Sequence, residues 1–268
     1  MTKIAVLGAG TIGEALLAGL LRSGHQPSEL LFTERYPERR AELETRYGVT
    51  AVAPAVAVEQ ADVLVVAVKP QDIDALLDEL TAVGPGTLVV SLCAGLPTAL
   101  FESRLPPQTP VVRVMPNTPM VIGEAMSAIS AGQHAVERHL CLVEKMMGAV
   151  GRVVRVPESQ QDVVTAVSGS GPAYVFLMVE AMIDAAVHLG LSRTVAAELV
   201  TQTAVGAATM LRDSGKHPVL LREAVTSPGG TTAAGVRALE DQGLRSACFA
   251  ALTAARDRAV ELGAEHQL

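Results

Sequence analysis

Two strings in this chain of 268 residues combine residue types and spacing that suit chemistry. The first is Gly8-Ala9-Gly10-Thr11-Ile12-Gly13, a GxGxxG pattern directly after the apolar run Lys3–Leu7. Between a strand and a helix, the first glycine permits a tight turn and the second lets a pyrophosphate approach the backbone. The third packs helix on strand, and the helix N-terminus attracts the phosphates. The competing role is a glycine-rich turn with no ligand. The second string is Val225-Thr226-Ser227-Pro228-Gly229-Gly230-Thr231-Thr232. Gly229 and Gly230 precede a helix expected from about Thr231. Backbone N–H groups and the helix dipole there make an anion site that needs no Arg or Lys, suited to a carboxylate. The hydroxyls of Ser227, Thr231 and Thr232 add hydrogen bonds; their competing role is plain N-capping.

Further residues follow from the first string. The adenosine ribose of a dinucleotide is read about 20 residues on, at the end of the second strand. Thr33-Glu34-Arg35 stands there. Glu34 suits the 2′-hydroxyl of NADH, and Arg35 suits the 2′-phosphate of NADPH, with Arg39 or Arg40 assisting. A guanidinium directly after the strand favours NADPH, with NADH possible. Ala67-Val68-Lys69-Pro70, Cys93-Ala94-Gly95 and Met115-Pro116-Asn117-Thr118-Pro119 each follow a strand-like run. Ligands of open α/β sheets bind outside the carboxyl ends of strands, so these loops are expected to line the groove. Asn117 is the candidate for the nicotinamide-side ribose or amide.

The elements that must position these residues are legible in outline. Strand-like runs at Lys3–Leu7, Leu30–Thr33, Asp62–Val68, Thr87–Leu92, Val111–Met115 and Arg152–Val156 alternate with helix-like segments at Thr11–Ser23, Pro37–Tyr47 and Gln71–Thr81. Continuous Val/Leu runs suit a parallel sheet covered on both faces. The first half therefore reads as an α/β, Rossmann-type, doubly wound parallel sheet. After about Pro157 the strand runs vanish. Ser170 reads as a helix cap before Pro172, with helix over Ala173–Leu189. Ser192 reads as the cap of a helix running to about Arg212, and Leu244–Leu262 as a closing helix. The division expected is residues 1–157 and an all-helical domain over 158–268. The second domain is rich in small apolar residues and would leave apolar surface exposed unless it paired with a copy of itself.

Composition narrows the partners. Aromatic residues make up 3% of the chain, Trp is absent and the formal net charge is -7. A nucleic-acid binder needs stacking platforms and positive charge, so none is expected. Cys93, Cys141 and Cys248 are odd in number and form no CxxC, so three reduced, mostly buried thiols are expected and no metal site. MTKIAVLGAG enters a strand at once and does not read as a signal peptide. Ala173–Val179 is interrupted by Glu180 and Asp184 and reads as too short for a bilayer. A cytoplasmic protein is expected.

The motifs VKP (68–70), MPNTP (115–119), SGSGPAY (168–174) and HPxxLxxxVxSPGGTT (217–232), in that order, resemble the pyrroline-5-carboxylate reductase family over essentially the whole chain. The resemblance implies NAD(P)H-dependent reduction of a ring imine to proline, a helical dimerisation domain, and interlocked dimers that build decamers. It implies that Ser227, Gly230, Thr231 and Thr232 bind the substrate carboxylate and ring nitrogen. Some members carry Asn where this chain has Ala224. A hydroxyacid dehydrogenase needs a general base, usually His or Lys. His25, His134, His139, His188, His217 and His266 offer no well-placed one; only His217 lies near a motif, where a structural role in the loop is expected. A β-hydroxyacid dehydrogenase would carry a Lys in an early helix of the second domain. A non-catalytic nucleotide-binding protein is the third reading. A protonated imine is already electrophilic, so positioning and one hydroxyl suffice; Thr232 is the candidate catalytic contact.

Overall fold

The structure is a computed structural model that describes residues 2–265, apart from the side chains of Pro70 and Glu265. His266 lies outside the described residues. Contacts divide the chain into two units. One runs up to Ser170 and takes up the chain again from Ala254, and the other is Gly171–Thr253.

The first unit is built on eight strands: β1 (Ile4–Leu7), β2 (Leu30–Thr33), β3 (Thr50–Ala51), β4 (Val63–Val66), β5 (Leu88–Ser91), β6 (Val111–Met115), β7 (Ala125–Ala131) and β8 (Gly151–Arg155). Their order is β3-β2-β1-β4-β5-β6-β7-β8. Helices α1 (Thr11–Arg22), α2 (Pro37–Tyr47), α3 (Pro54–Gln60), α4 (Ile73–Glu79), α5 (Thr98–Arg104) and α6 (Glu137–Gly148) connect them. The apolar strands supply two cores, one on each face. Val6, Val63, Val65 and Val90 pack with Leu16, Leu20 and Leu43 on one side. Leu7, Leu64, Val66 and Val89 pack with Leu76, Leu77 and Phe101 on the other. Alternate residues of each strand serve opposite cores, which is why every position in β1, β4 and β5 is buried. One pairing departs from the all-parallel expectation. β6 and β7 run antiparallel, with Met115 opposite Ala128.

β6 also carries a buried cation. The Arg113 side chain is 5% exposed, and its guanidinium nitrogens lie 3.5 Å from Glu158 and 3.4 Å from Asp162. Glu158 accepts further bonds from the Thr98 backbone N–H and hydroxyl, at 2.7 and 2.6 Å. This carboxylate therefore serves a buried charge and the uncapped start of α5 together.

Before Ser170, α7 (Gln161–Val164) passes into a π-helical stretch, Thr165–Gly169. Ser170 is itself in the right-handed helical region and donates its N–H to Thr165 O. It is not the N-cap that the Ser-Gly-Pro string suggests. The sequence reads as a helix start but instead forms a bulge inside a helix running from Glu158 to His188. That continuity also corrects the length estimate. The helix is long and apolar enough, by length and composition alone, to cross a membrane.

The second unit holds α8 (Gly171–His188), α9 (Arg193–Ser214), α10 (Pro218–Ala224), α11 (Thr231–Asp241) and the start of α12 (Leu244–Glu265). Ser192 caps α9 as expected, accepting from Val195 N–H. Only Ala196 and Val200 are buried within Gly171–Thr253. Phe176, Leu177 and Met182 of α8 are exposed, as are Val205 and Met210 of α9. A helix apolar on all sides belongs in an interior. Little of the apolar surface of this unit is buried.

Candidate active site

The sheet order reverses between β1 and β4, the point at which open α/β sheets bind ligands. A groove of about 590 Å³ lies there. Its lining includes Gly8, Gly10, Glu34, Arg35, Ala67, Val68 and Lys69, seven of the residues that the sequence assigned to it. Gly8 has φ +98°, and its N–H reaches both the carbonyl and the hydroxyl oxygen of Thr33. A side chain at Gly13 would collide with the Gly8 carbonyl, so that glycine serves packing. Gly10 differs. It is the N-cap of α1, has no side-chain cap bond, and a Cβ there would meet nothing within 4 Å. The protein itself has no use for that space. An open cradle at a helix N-terminus, beside Arg35, Arg40 and Lys69, fits a dinucleotide phosphate. Thr11 and Ile12 open α1, and Pro70 opens the 3₁₀ turn Pro70–Asp72.

The structure separates arginines that the sequence could not. Arg40 lines the groove and donates to Glu34 O at 2.8 Å. Arg39 turns away to Glu14 and Glu42. Glu14 also accepts from Arg46 and from the Tyr47 hydroxyl. Burial opposes ionisation of Glu14, but Tyr47, Arg39 and Arg46 hold its carboxyl below the usual range. Sequence reasoning missed the hydrophobic wall of Val52, Ala53 and Pro54, and also Tyr36, Asp72 and Glu79.

Three residues that the sequence assigned to the groove loops, Cys93, Gly95 and Asn117, are engaged within the protein. Cys93 does not face the groove. Its side chain is buried in the core, its thiol near the Val66 and Val68 carbonyls, and burial pushes the thiol up to about 12. Gly95 is buried beneath the end of α12, near Leu262 and Gly263, leaving Ala94 as the exposed residue of that loop. Asn117 bonds within the protein, donating to Ser168 O at 3.0 Å and accepting from Met126 N–H at 2.9 Å. It ties the loop after β6 to the π-helical stretch. The thiols also differ from expectation, for Cys141 and Cys248 are exposed.

The second string forms a turn. Gly230 N–H donates to Ser227 O at 3.0 Å, with Pro228 second and Gly229, at φ +68°, third. Proline followed by a positive-φ glycine is the pattern of a type II turn. Gly230 then caps α11 with no side-chain cap bond. The hydroxyls of Ser227, Thr231 and Thr232 are therefore not spent on N-capping, and all three residues are exposed. Ala224 is the last residue of α10. His217 has the structural role expected of it, since its Nδ1 accepts from Val219 N–H and caps α10. His139, in the first turn of α6, accepts at Nδ1 from the N–H of Val136, the residue before the helix; burial, then Arg138, lowers its pKa. Lys216 sits in the exposed loop before α10, not in an early helix.

A doubly wound sheet with an open glycine cradle at its switch point, followed by a helical unit, defines a two-domain NAD(P)H-dependent oxidoreductase. Residues 3–95 match the family model of F420-dependent NADP oxidoreductases, and residues 158–262 match that of pyrroline-5-carboxylate reductase dimerisation domains. The chain is 46% identical to a pyrroline-5-carboxylate reductase of Mycobacterium tuberculosis, covering 98% of this chain and 97% of the relative. It is similar in structure to a pyrroline-5-carboxylate reductase of Coxiella burnetii, with TM-score 0.93, 37% identity, and 97% and 98% of the two chains covered. The Plasmodium falciparum pyrroline carboxylate reductase, solved with NADP bound, gives TM-score 0.87 at 28% identity, with 98% of each chain covered. The chain belongs to the pyrroline-5-carboxylate reductase family, whose members reduce a ring imine in the last step of proline biosynthesis. The match to a dimerisation domain supports oligomer formation.

Proposed function

We propose that this chain reduces 1-pyrroline-5-carboxylate to L-proline in the cytoplasm, with NADPH favoured over NADH. The observation that carries the substrate assignment is the uncapped start of α11 behind the Ser227–Gly230 turn. The backbone N–H of Thr231, with the helix dipole and the Ser227 hydroxyl, holds the carboxylate beside Gly230, whose own N–H closes the turn onto Ser227 O. Gly229 supplies the turn that presents them. The Thr232 hydroxyl meets the ring nitrogen, orients the imine and serves its proton. When bound, the reduced nicotinamide supplies the hydride. Gly8, Gly10, Thr11, Ile12 and Gly13 seat the pyrophosphate, and Glu34 and Arg35 read the adenosine ribose. Ala67, Val68, Lys69 and Pro70 form the facing wall, with Ala94 and the loop held by Asn117 towards the nicotinamide. The proposed domains are 1–157 and 158–268. Absorbance of NADPH and NADH, each mixed with enzyme and pyrroline-5-carboxylate, tests the proposal. No substrate-dependent oxidation of either cofactor would overturn it.

Two results should accompany that assay. Arg35→Ala should weaken NADPH binding by about tenfold, the lower end for a charge-assisted bond because Arg35 is well exposed, and should leave NADH less affected. Equal changes in the two titrations would remove Arg35 from the phosphate site. The exposed apolar faces of α8 and α9 should bury themselves in a homodimer, with decamers built from such dimers. Light scattering should therefore give at least twice the chain mass of 27.9 kDa. A stable, active monomer would contradict it.

A further inference from the structure

The adenosine end of the groove carries balanced charges. Arg35, Arg40 and Lys69 line it together with Glu34, Asp72 and Glu79. The arginines differ in how firmly they are held. Arg40 is fixed by its 2.8 Å bond to Glu34 O, and Arg39 by Glu14 and Glu42. Arg35 is held loosely. Its Nη1 lies 3.6 Å from Asp72 Oδ1, beyond hydrogen-bond range, and both side chains are well exposed. Its guanidinium stands 4.8 Å from the centre of the Tyr36 ring. Of these arginines Arg35 is thus the one able to turn towards a ligand, and Asp72 is the anion that it would leave.

Asp72 is placed by its backbone. Its N–H donates to Lys69 O at 2.9 Å, closing the 3₁₀ turn, and α4 begins at the next residue. Its side chain makes no cap bond to α4, so the carboxylate is not spent there. We propose that Asp72 is a selectivity-determining residue that competes with the 2′-phosphate of NADPH for Arg35 and so narrows the preference for NADPH over NADH. A phosphate entering the groove must draw Arg35 from Asp72 and then sit beside that fixed negative charge. A ribose hydroxyl incurs neither penalty. The inference rests on reading this groove as the NAD(P)H site.

Fluorescence titration of the purified full-length protein tests it by binding alone. Asp72→Asn should raise the ratio of the NADH to the NADPH dissociation constant by about threefold to tenfold, the range of an exposed to partly desolvated charge pair. A gain in NADPH selectivity cannot arise from a damaged fold. Glu79→Gln removes the same charge from the same groove and should move the ratio by less than half as much on a logarithmic scale. In an Arg35→Ala background the Asp72→Asn gain should shrink towards one, since the pair is already broken. An unchanged or lower ratio for Asp72→Asn would overturn the proposal. So would equal gains for Glu79→Gln, or a full gain without Arg35, since either would reduce Asp72 to one part of a general field. If the unaltered protein bound neither nucleotide, the reading of the groove itself would fall, and this inference with it.

Discussion

Replacing Thr232 with alanine is expected to lower turnover by about tenfold to a thousandfold, the range for one positioned donor or proton-transfer group. Nucleotide affinity should hold, because every residue lining the groove lies between Gly8 and Glu79. The structure sharpens this test against the obvious alternative. If Thr232 merely started a helix, alanine would cost about 1 kcal/mol of stability and little activity. Yet α11 begins at Thr231 behind a Gly230 cap, and no side chain makes a cap bond there. Thr232→Ala should therefore leave the melting temperature nearly unchanged while turnover falls. Thr232→Ser restores the hydroxyl and should recover much of the rate. Steady-state kinetics and melting curves on the three proteins decide the matter. Near-normal turnover in the alanine protein would eliminate Thr232 as a catalytic contact.

Gly10→Val should abolish measurable NADPH binding at concentrations that saturate the unaltered protein. A Cβ at Gly10 meets no protein atom, so the new side chain fills the space assigned to the pyrophosphate. Losing even two charge-assisted backbone contacts, at about 1.5–3 kcal/mol each, weakens binding more than a hundredfold. The fold should survive. Gly10 has φ −69° and ψ −168°, an extended conformation that valine accepts. The structural penalty is a poorer N-cap, about 1 kcal/mol or less. Gly13→Ala makes the contrasting variant, since its methyl runs into the Gly8 carbonyl and should destabilise the domain. A folded Gly10→Val protein that titrated normally with NADPH would show that the glycine loop holds no pyrophosphate.

Both predictions use strings that were readable because glycine and proline act locally. Positive φ at Gly8 and Gly229, and the open N-termini of α1 and α11, follow from residue type and spacing. β1, β2 and α2 were legible for a related reason, since their apolar periods or proline start are strong. β7 was not, because AMSAISA is made mostly of Ala and Ser, which have little strand preference. Pro54-Ala-Val-Ala-Val alternates like a strand, yet Pro54 starts helix α3. The limits at the site have the same cause. Which of Arg39 and Arg40 faces the groove depends on the rotation of α2, set by Glu14 from α1, a contact 25 residues away in sequence. Cys93 stands in a loop that the sequence places at the groove, but its backbone direction turns the thiol inward.

That inward thiol gives the domain an internal clock. Alkylating reagents react with thiolates, and Cys93, its thiol pushed up to about 12 by burial and its sulfur packed against the Val66 and Val68 carbonyls at the end of β4, offers almost none while that packing holds. Its labelling rate then reports how often this packing opens, whereas Cys141, exposed on α6 with its sulfur beside Glu137 and Arg155, labels without any opening. When reclosing outpaces labelling, the Cys93 rate is proportional to the equilibrium population of the opened state. The breathing of the nucleotide-binding domain becomes measurable by mass spectrometry, without denaturant and without an introduced probe.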